Sequence, residues 1–123
     1  MDWGEIRIEG DRVVITPSDC TVWLTQHQIA DLFECFVAKV SSNVRAILKA
    51  DILDERKVCR LHRYDNGNSV ELYNLEMIAA LAFRIKTHNA KVFREWLMKK
   101  AVQERSDRQI SVVVPWSDRI FLN

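Results

Sequence analysis

Four polar side chains recur within one short stretch of this chain at the spacing of a helix face. Lys39, Ser42 and Arg45 follow one another at intervals of three residues, and Asn43 lies beside them. On a helix with 3.6 residues per turn, side chains three apart project from neighbouring turns. Lysine and arginine donate hydrogen bonds to guanine, asparagine pairs with adenine, and serine contacts bases or phosphates. The stretch therefore has the chemistry to contact base edges of duplex DNA.

Further basic side chains follow this stretch and are expected to contact phosphates rather than bases. Lys49, Arg56 and Lys57 come directly after it, and Arg60, His62 and Arg63 lie in a predicted hairpin that can contact the DNA backbone or the minor groove. The predicted DNA-binding residues are Lys39, Ser42, Asn43, Arg45, Lys49, Arg56, Lys57, Arg60 and Arg63. The alternative for each is an ordinary solvated surface residue.

The elements that must position these residues are two consecutive helices, together spanning residues 25–49. Thr25 and Gln28 form a Thr-x-x-Gln capping box, which predicts a helix from there to about Phe33. A second helix is predicted over residues 36–49. Its apolar residues recur at helical spacing and form one stripe: Phe36, Val37, Val40, Val44, Ile47 and Leu48.

The joint between the two helices is typical of a helix-turn-helix with one departure. Ala30 supplies the small residue needed at the crossing point, and Phe33, Cys35, Val40 and Val44 supply the apolar anchors. The turn position, which usually takes glycine because it requires a positive φ, is Glu34.

The rest of the chain predicts an α+β fold built around this helix pair. Asn66-Gly67 predicts a turn in a hairpin over residues 58–73, and helix-turn-helix followed by hairpin is the order of a winged helix. A second hairpin is expected over residues 5–16, and two further helices over 75–85 and 90–103. Residues 21–24 are either a short strand or a lead into the first helix. We therefore predict one winged-helix-like domain over 1–103, followed by a linker and a C-terminal strand over 104–123.

Length and composition favour one globular domain, with its charge unevenly distributed. The chain has 123 residues, 48% of them hydrophobic, and a net charge of +1. Residues 37–63 carry seven basic and three acidic side chains, and residues 84–105 carry seven and two, whereas residues 1–36 carry two and seven. A polyanion would be attracted to the second and third blocks rather than to the average charge.

Several classes of protein are disfavoured by the same sequence. No apolar run is long enough to cross a membrane, and the N-terminus has no basic start followed by an apolar run, so we expect a cytoplasmic protein. The three scattered cysteines favour reduced thiols, and Cys59 with His62 supplies only two zinc ligands. Isolated histidines and the absence of a glycine-rich phosphate loop favour a protein that is not an enzyme and needs no cofactor. Cys35, at a helix start, is interpreted as an apolar anchor rather than a reactive thiol.

Motifs in several separate places resemble those of the RhuM family of bacterial virulence-associated proteins. They are Val22-Trp-Leu-Thr-Gln-His-Gln-Ile-Ala-Asp-Leu-Phe33, Val70-Glu-Leu-Tyr-Asn-Leu-Glu-Met-Ile78, Phe83-Arg-Ile85 and Phe93-Arg-Glu-Trp96, in the family's order. The resemblance covers residues 20–101 and implies a DNA-binding protein. The family has Gly-Val at the helix turn, then Ser and Arg, where this chain has Glu34, Cys35, Phe36 and Val37.

Two functions are expected from these observations. The first is a transcriptional regulator that binds double-stranded DNA, as a homodimer, with helix 36–49 as the recognition helix. The C-terminal strand over residues 110–114 would then either join the N-terminal hairpin or pair with a second copy. The second is a protein-interaction module that keeps the winged-helix fold without DNA binding. Phe36 and Val37 would form an apolar patch for a protein partner if both are exposed, and this function loses its main support if they pack inward.

Overall fold

The computed structural model describes residues 3–18 and 21–108. In chain order, its elements are β1 (Glu5–Glu9), β2 (Arg12–Thr16), α1 (Gln26–Phe33), α2 (Val37–Lys49), α3 (Glu55–Val58), β3 (Cys59–Arg63), β4 (Ser69–Tyr73), α4 (Leu75–Ala82) and α5 (His88–Arg108). The strands form two separate antiparallel pairs, β1 with β2 and β3 with β4. This confirms the predicted α+β class and the positions of both hairpins. None of the helices in the described ranges is long and apolar enough to cross a membrane.

The first hairpin forms where the alternation of polar and apolar residues predicted it. Its register pairs Glu5 with Thr16 and Glu9 with Arg12, which leaves a two-residue turn beginning at Gly10. Gly10 has a φ of 60°, a conformation that glycine adopts without steric cost. Ile6 is buried, and both strands pack against α5.

The capping box at the start of α1 is present as predicted. The Thr25 hydroxyl accepts a hydrogen bond from the Gln28 amide at 3.1 Å, and the Gln28 side chain accepts one from the Thr25 amide at 2.9 Å. Each bond satisfies a backbone N–H that has no partner within the helix. Ala30 is buried where α1 packs against α2.

The second hairpin is joined to the segment that precedes α1. Leu24 and Tyr73 exchange two backbone hydrogen bonds, of 2.9 and 2.8 Å, so this segment pairs with β4 through a single bridge. The Tyr73 hydroxyl also accepts a hydrogen bond from Gln26 at 3.0 Å and donates one to Glu71 at 2.7 Å. Burial raises the pKa of this phenol well above its ordinary value. The hairpin is thereby held against the start of α1.

The hydrophobic core lies between α1, α2, α4 and α5. Phe33 of α1 meets Phe93 of α5 edge to face, with ring centroids 5.6 Å apart. Both rings are fully buried, as are Ile47 of α2 and Ile78 of α4. These contacts fix one face of α2 against the domain, so its opposite face is left to solvent.

Three predicted boundaries near the C-terminus differ from the structure. Helix α4 ends at Ala82 rather than at residue 85, and Phe83 is its C-cap. Helix α5 begins at His88 rather than at residue 90, and the Thr87 hydroxyl accepts a hydrogen bond from the Ala90 amide. Residues 104–108, predicted as linker, continue α5 to Arg108, because they contain no glycine or proline to end it. The predicted strand over 110–114 lies outside the described residues.

Candidate nucleic-acid interface

One face of α2 is polar, basic and open to solvent. Lys39, Ser42, Arg45 and Lys49 are all exposed, whereas the opposite face is buried in the core. We call these four residues the polar face of α2. The helix contains no acidic residue from Val37 to Lys49, so no carboxylate within it offsets the three cations. The only hydrogen bonds found for the side chains of Ser42 and Arg45 in the described chain are local, from Ser42 Oγ to the Lys39 carbonyl and from Arg45 to Ser41 Oγ.

Asn43 does not belong to this face, which corrects the prediction that it contacts a base. Its side chain is 8% exposed, and both ends of its amide are engaged within the fold. Nδ2 donates to the Lys39 carbonyl at 2.8 Å, and Oδ1 accepts from Arg84 Nε, also at 2.8 Å. Asn43 is buried because position 43 lies on the same side of the helix as Val40 and Ile47, which faces the core.

Arg84 is a cation beside α2 that the sequence analysis missed. It follows α4, is exposed, and is held at α2 by its bond to Asn43. Only its Nε is used in that bond, and a guanidinium carries further donors in a planar fork. Its position depends on how α4 packs against α2, a contact between residues 41 apart that no local motif announces.

Arg56 and Lys57 lie on the short helix α3, which the sequence analysis did not predict. Asp54 caps it by accepting from the Arg56 amide at 3.0 Å, and the Asp54 carboxylate also lies 3.6 Å from the Arg56 guanidinium. Arg56 is nearly fully exposed, so this ion pair is weak and remains available for exchange with a phosphate. Lys57 is exposed too, but Asp54 and Glu55 lie next to both cations.

The basic residues of the second hairpin are divided between its two faces. Side chains alternate along a strand, so Arg60 and Arg63, three residues apart on β3, point to opposite sides. Arg60 lies over the ring of Trp23, with its guanidinium carbon 5.0 Å from the centroid. His62 meets Trp3 and Tyr64 edge to face, with centroids 4.8 Å apart in each pair. The sequence analysis grouped these cations as one surface, which the alternation does not allow.

The turn between α1 and α2 has the backbone geometry that usually selects glycine. Glu34 adopts φ 55° and ψ 54°, in the left-handed region, and its amide bonds back to α1. The Asn89 side chain donates to the Leu32 carbonyl at 2.9 Å and to the Glu34 carboxylate at 3.3 Å. A contact from α5 therefore supports the turn, and it holds the Glu34 carboxylate toward α5.

The residues after this turn differ from one another in burial, and one of them differs from the prediction. Phe36, predicted on the apolar stripe, is 86% exposed, because it is the N-cap of α2 with an extended backbone rather than its first helical residue. Val37 packs against the core, and so does Cys35. Burial raises the pKa of the Cys35 thiol, more than offsetting the opposite effect of Lys39. The thiol is therefore less ionised than a free cysteine, as expected for an apolar anchor.

The described residues contain no group of three or more histidine, cysteine, aspartate or glutamate side chains that could hold a metal ion. Compared with known proteins, the chain matches no family model, no curated protein and no solved structure.

Proposed function

We propose that this protein binds double-stranded DNA with a winged-helix domain in which α2 enters the major groove. The polar face of α2 carries this proposal, because it presents three cations and a hydroxyl without any acidic side chain in the helix. A major groove admits an α-helix, and each phosphate that a cation neutralises releases counterions. Lysine and arginine on this face supply both base contacts and phosphate contacts.

The order of the elements supports the finer assignment of the fold. Helices α1 and α2 are followed by the β3–β4 hairpin, and the segment before α1 pairs with β4 at Leu24 and Tyr73. A segment paired beside the hairpin and a helix pair ahead of it are both consistent with a winged helix. The resemblance of residues 20–101 to the RhuM family agrees with this assignment.

The wing contributes less charge in this proposal than the sequence analysis expected. Since Arg60 and Arg63 lie on opposite faces of the hairpin, only one of them meets a given DNA surface. Arg63 is nearer the hairpin turn and is exposed, so we assign the backbone contact to it. Arg84 joins the interface as a phosphate contact beside α2, replacing Asn43.

The test is duplex binding measured across a salt series. With mixed-sequence duplex, the logarithm of the affinity should fall linearly with the logarithm of salt, with a slope of about −0.9 per phosphate contacted. Lys39→Ala combined with Arg45→Ala should reduce that slope by about 1.8 if both cations contact phosphates. The matched control is Arg12→Ala combined with Lys91→Ala, which removes two exposed cations from β2 and α5.

Fluorescence anisotropy with labelled duplex, together with circular dichroism of each variant, provides the measurement. Absence of duplex binding at about 50 mM salt would refute the proposal, as would an equal effect of the two double variants. Mass in solution, measured with and without DNA, tests the proposed homodimer.

A second candidate function is a protein-interaction module, and the exposure of Phe36 favours it. A bare aromatic ring at the tip of the helix pair is a feature of contact surfaces. The inward packing of Val37 weakens the case for this function, because Phe36 and Val37 then do not form one apolar patch. A protein that binds no duplex at low salt, yet loses a protein partner on Phe36→Ala, would favour this function.

A further inference from the structure

Phe36 is the most exposed of the large apolar side chains in the described residues, and it lies at the N-terminal end of α2. It is 86% exposed at the N-cap of α2, directly before the helix that carries the polar face. In helix-turn-helix proteins, the N-terminal residues of the recognition helix are those that contact base edges. Its position, more than its exposure, makes it informative.

The backbone that holds Phe36 is fixed on both sides. Before it, the Cys35 amide donates to the Ala30 carbonyl at 3.0 Å, which locks the turn to α1. After it, the Phe36 carbonyl accepts from the amides of Lys39 and Val40 at 3.0 and 3.3 Å, which starts α2. The direction of the Phe36 Cα–Cβ bond is therefore fixed. The ring extends into solvent from an ordered backbone rather than from a flexible loop.

The charges around Phe36 restrict what it can meet. Lys39 lies three residues further on, about 4.5 Å along the helix axis. On the other side, Asp31 and Glu34 lie beside Phe36 and line a shallow cavity with Ala30 and Cys35. The two carboxylates repel phosphates, so this flank does not lie against the DNA backbone, whereas Lys39 can contact a phosphate or a guanine.

We propose that Phe36 contacts the 5-methyl group of a thymine in the major groove and thereby makes the protein prefer T at one position of its site. Thymine is the only one of the four bases that carries a methyl group on its major-groove edge, and phenylalanine is among the side chains that contact it. This inference rests on the proposed DNA binding by α2. It adds a preference for thymine that the cations cannot provide, because their phosphate contacts carry no sequence information and their base contacts favour guanine.

The test removes one methyl group from the DNA. Duplexes that the protein prefers are first selected from a random pool, and each thymine of the selected sequence is then replaced in turn by uracil, which lacks only the 5-methyl. One replacement should weaken binding of the native protein about four-fold, the value of one buried methyl group. All other replacements should have little effect.

Three protein variants are then compared on the same thymine and uracil duplexes. Phe36→Ala should weaken binding to the thymine duplex by about four-fold or more and should bind the thymine and uracil duplexes equally. Phe36→Leu keeps an apolar contact and should retain part of the preference. The matched control is Phe83→Ala, an exposed phenylalanine at the C-cap of α4, which should preserve the full preference.

The outcomes separate this inference from the proposed function. Binding that is indifferent to every uracil replacement, or a preference that survives Phe36→Ala, overturns the thymine contact while DNA binding by α2 stands. Absence of any duplex binding at low salt overturns both. Unchanged DNA binding by Phe36→Ala, with loss of a protein partner, assigns the ring to a protein interface instead. Since Phe36 is exposed, the melting temperature of each variant should stay close to that of the native protein.

Discussion

Replacing Asn43 by alanine tests whether this residue belongs to the fold or to the DNA-binding surface. The structure has its amide bonded on one side to the Lys39 carbonyl and on the other to the Arg84 guanidinium, both at 2.8 Å. A hydrogen bond to a charged group is worth about 1.5–3 kcal/mol, and a neutral one about 1 kcal/mol. The low end of the range for a charged partner applies to the bond with Arg84, because Arg84 is exposed and water can replace its partner.

The net cost of Asn43→Ala follows from these terms and one gain. Alanine is the better helix former by roughly 0.6 kcal/mol at an interior position. We therefore expect the free energy of unfolding to fall by about 1–2 kcal/mol, which lowers the melting temperature by roughly 4–10 °C. Thermal and urea unfolding followed by circular dichroism provide the measurement.

A double-mutant cycle with Arg84→Ala isolates the bond between the two side chains. The coupling should be about 1 kcal/mol, since each single change removes the same interaction. Ser42→Ala is the control, because Ser42 is exposed on the same helix and its loss should change stability by less than about 0.5 kcal/mol. Unchanged stability of Asn43→Ala with no coupling would refute the structural role, and so would an altered base preference in a variant of native stability.

Two further changes test the turn and one half-buried thiol. Glu34→Gly should be more stable than Glu34→Ala by about 1 kcal/mol in urea unfolding, because only glycine adopts φ 55° without strain. Both variants lose the contact with Asn89, so that loss cancels in the comparison. Equal stabilities of the two variants would contradict backbone strain at Glu34. Burial and the Glu55 and Glu71 carboxylates raise the pKa of the Cys59 thiol from 9.0 to about 11. An unfolded thiol then ionises before the folded one, so its contribution to stability should be lost as the pH rises from about 9 to about 11. The urea midpoint of Cys59→Ala should decline less over that range than that of the native protein, and parallel declines would argue against the raised pKa.

Much of the secondary structure was predictable, because the interactions that set it act over a few residues. The capping box of Thr25 and Gln28 marked the start of α1, and Asn66-Gly67 marked the turn between β3 and β4. Alternation placed β1 and β2 at their observed positions. The errors of this kind were also local: α4 ends at Ala82, before its predicted end at residue 85, and α5 begins at His88, two residues before its predicted start.

The membership of the candidate site was predicted less well, since it depends on which side of each element is covered. Asn43 was grouped with Lys39 and Ser42 because it is polar and close to them in sequence, although position 43 lies on the same side of the helix as Val40 and Ile47, where its amide bonds to Arg84. Helical spacing placed Phe36 on the apolar stripe, but the extended backbone at the N-cap leaves its ring in solvent. Strand alternation separates Arg60 from Arg63, although both are basic and close in sequence.

The sequence by itself determined the α+β class, the helix pair and the hairpin after it, because capping, turn formation and apolar periodicity are properties of neighbouring residues. Only the tertiary structure decided that Arg84 lies beside α2, that it donates a hydrogen bond to Asn43 and that Phe36 is presented to solvent. These three outcomes depend on contacts between residues up to 41 positions apart and on the exact end of a helix. The energy of such contacts is gained when the elements pack together, so it leaves no local pattern in the chain.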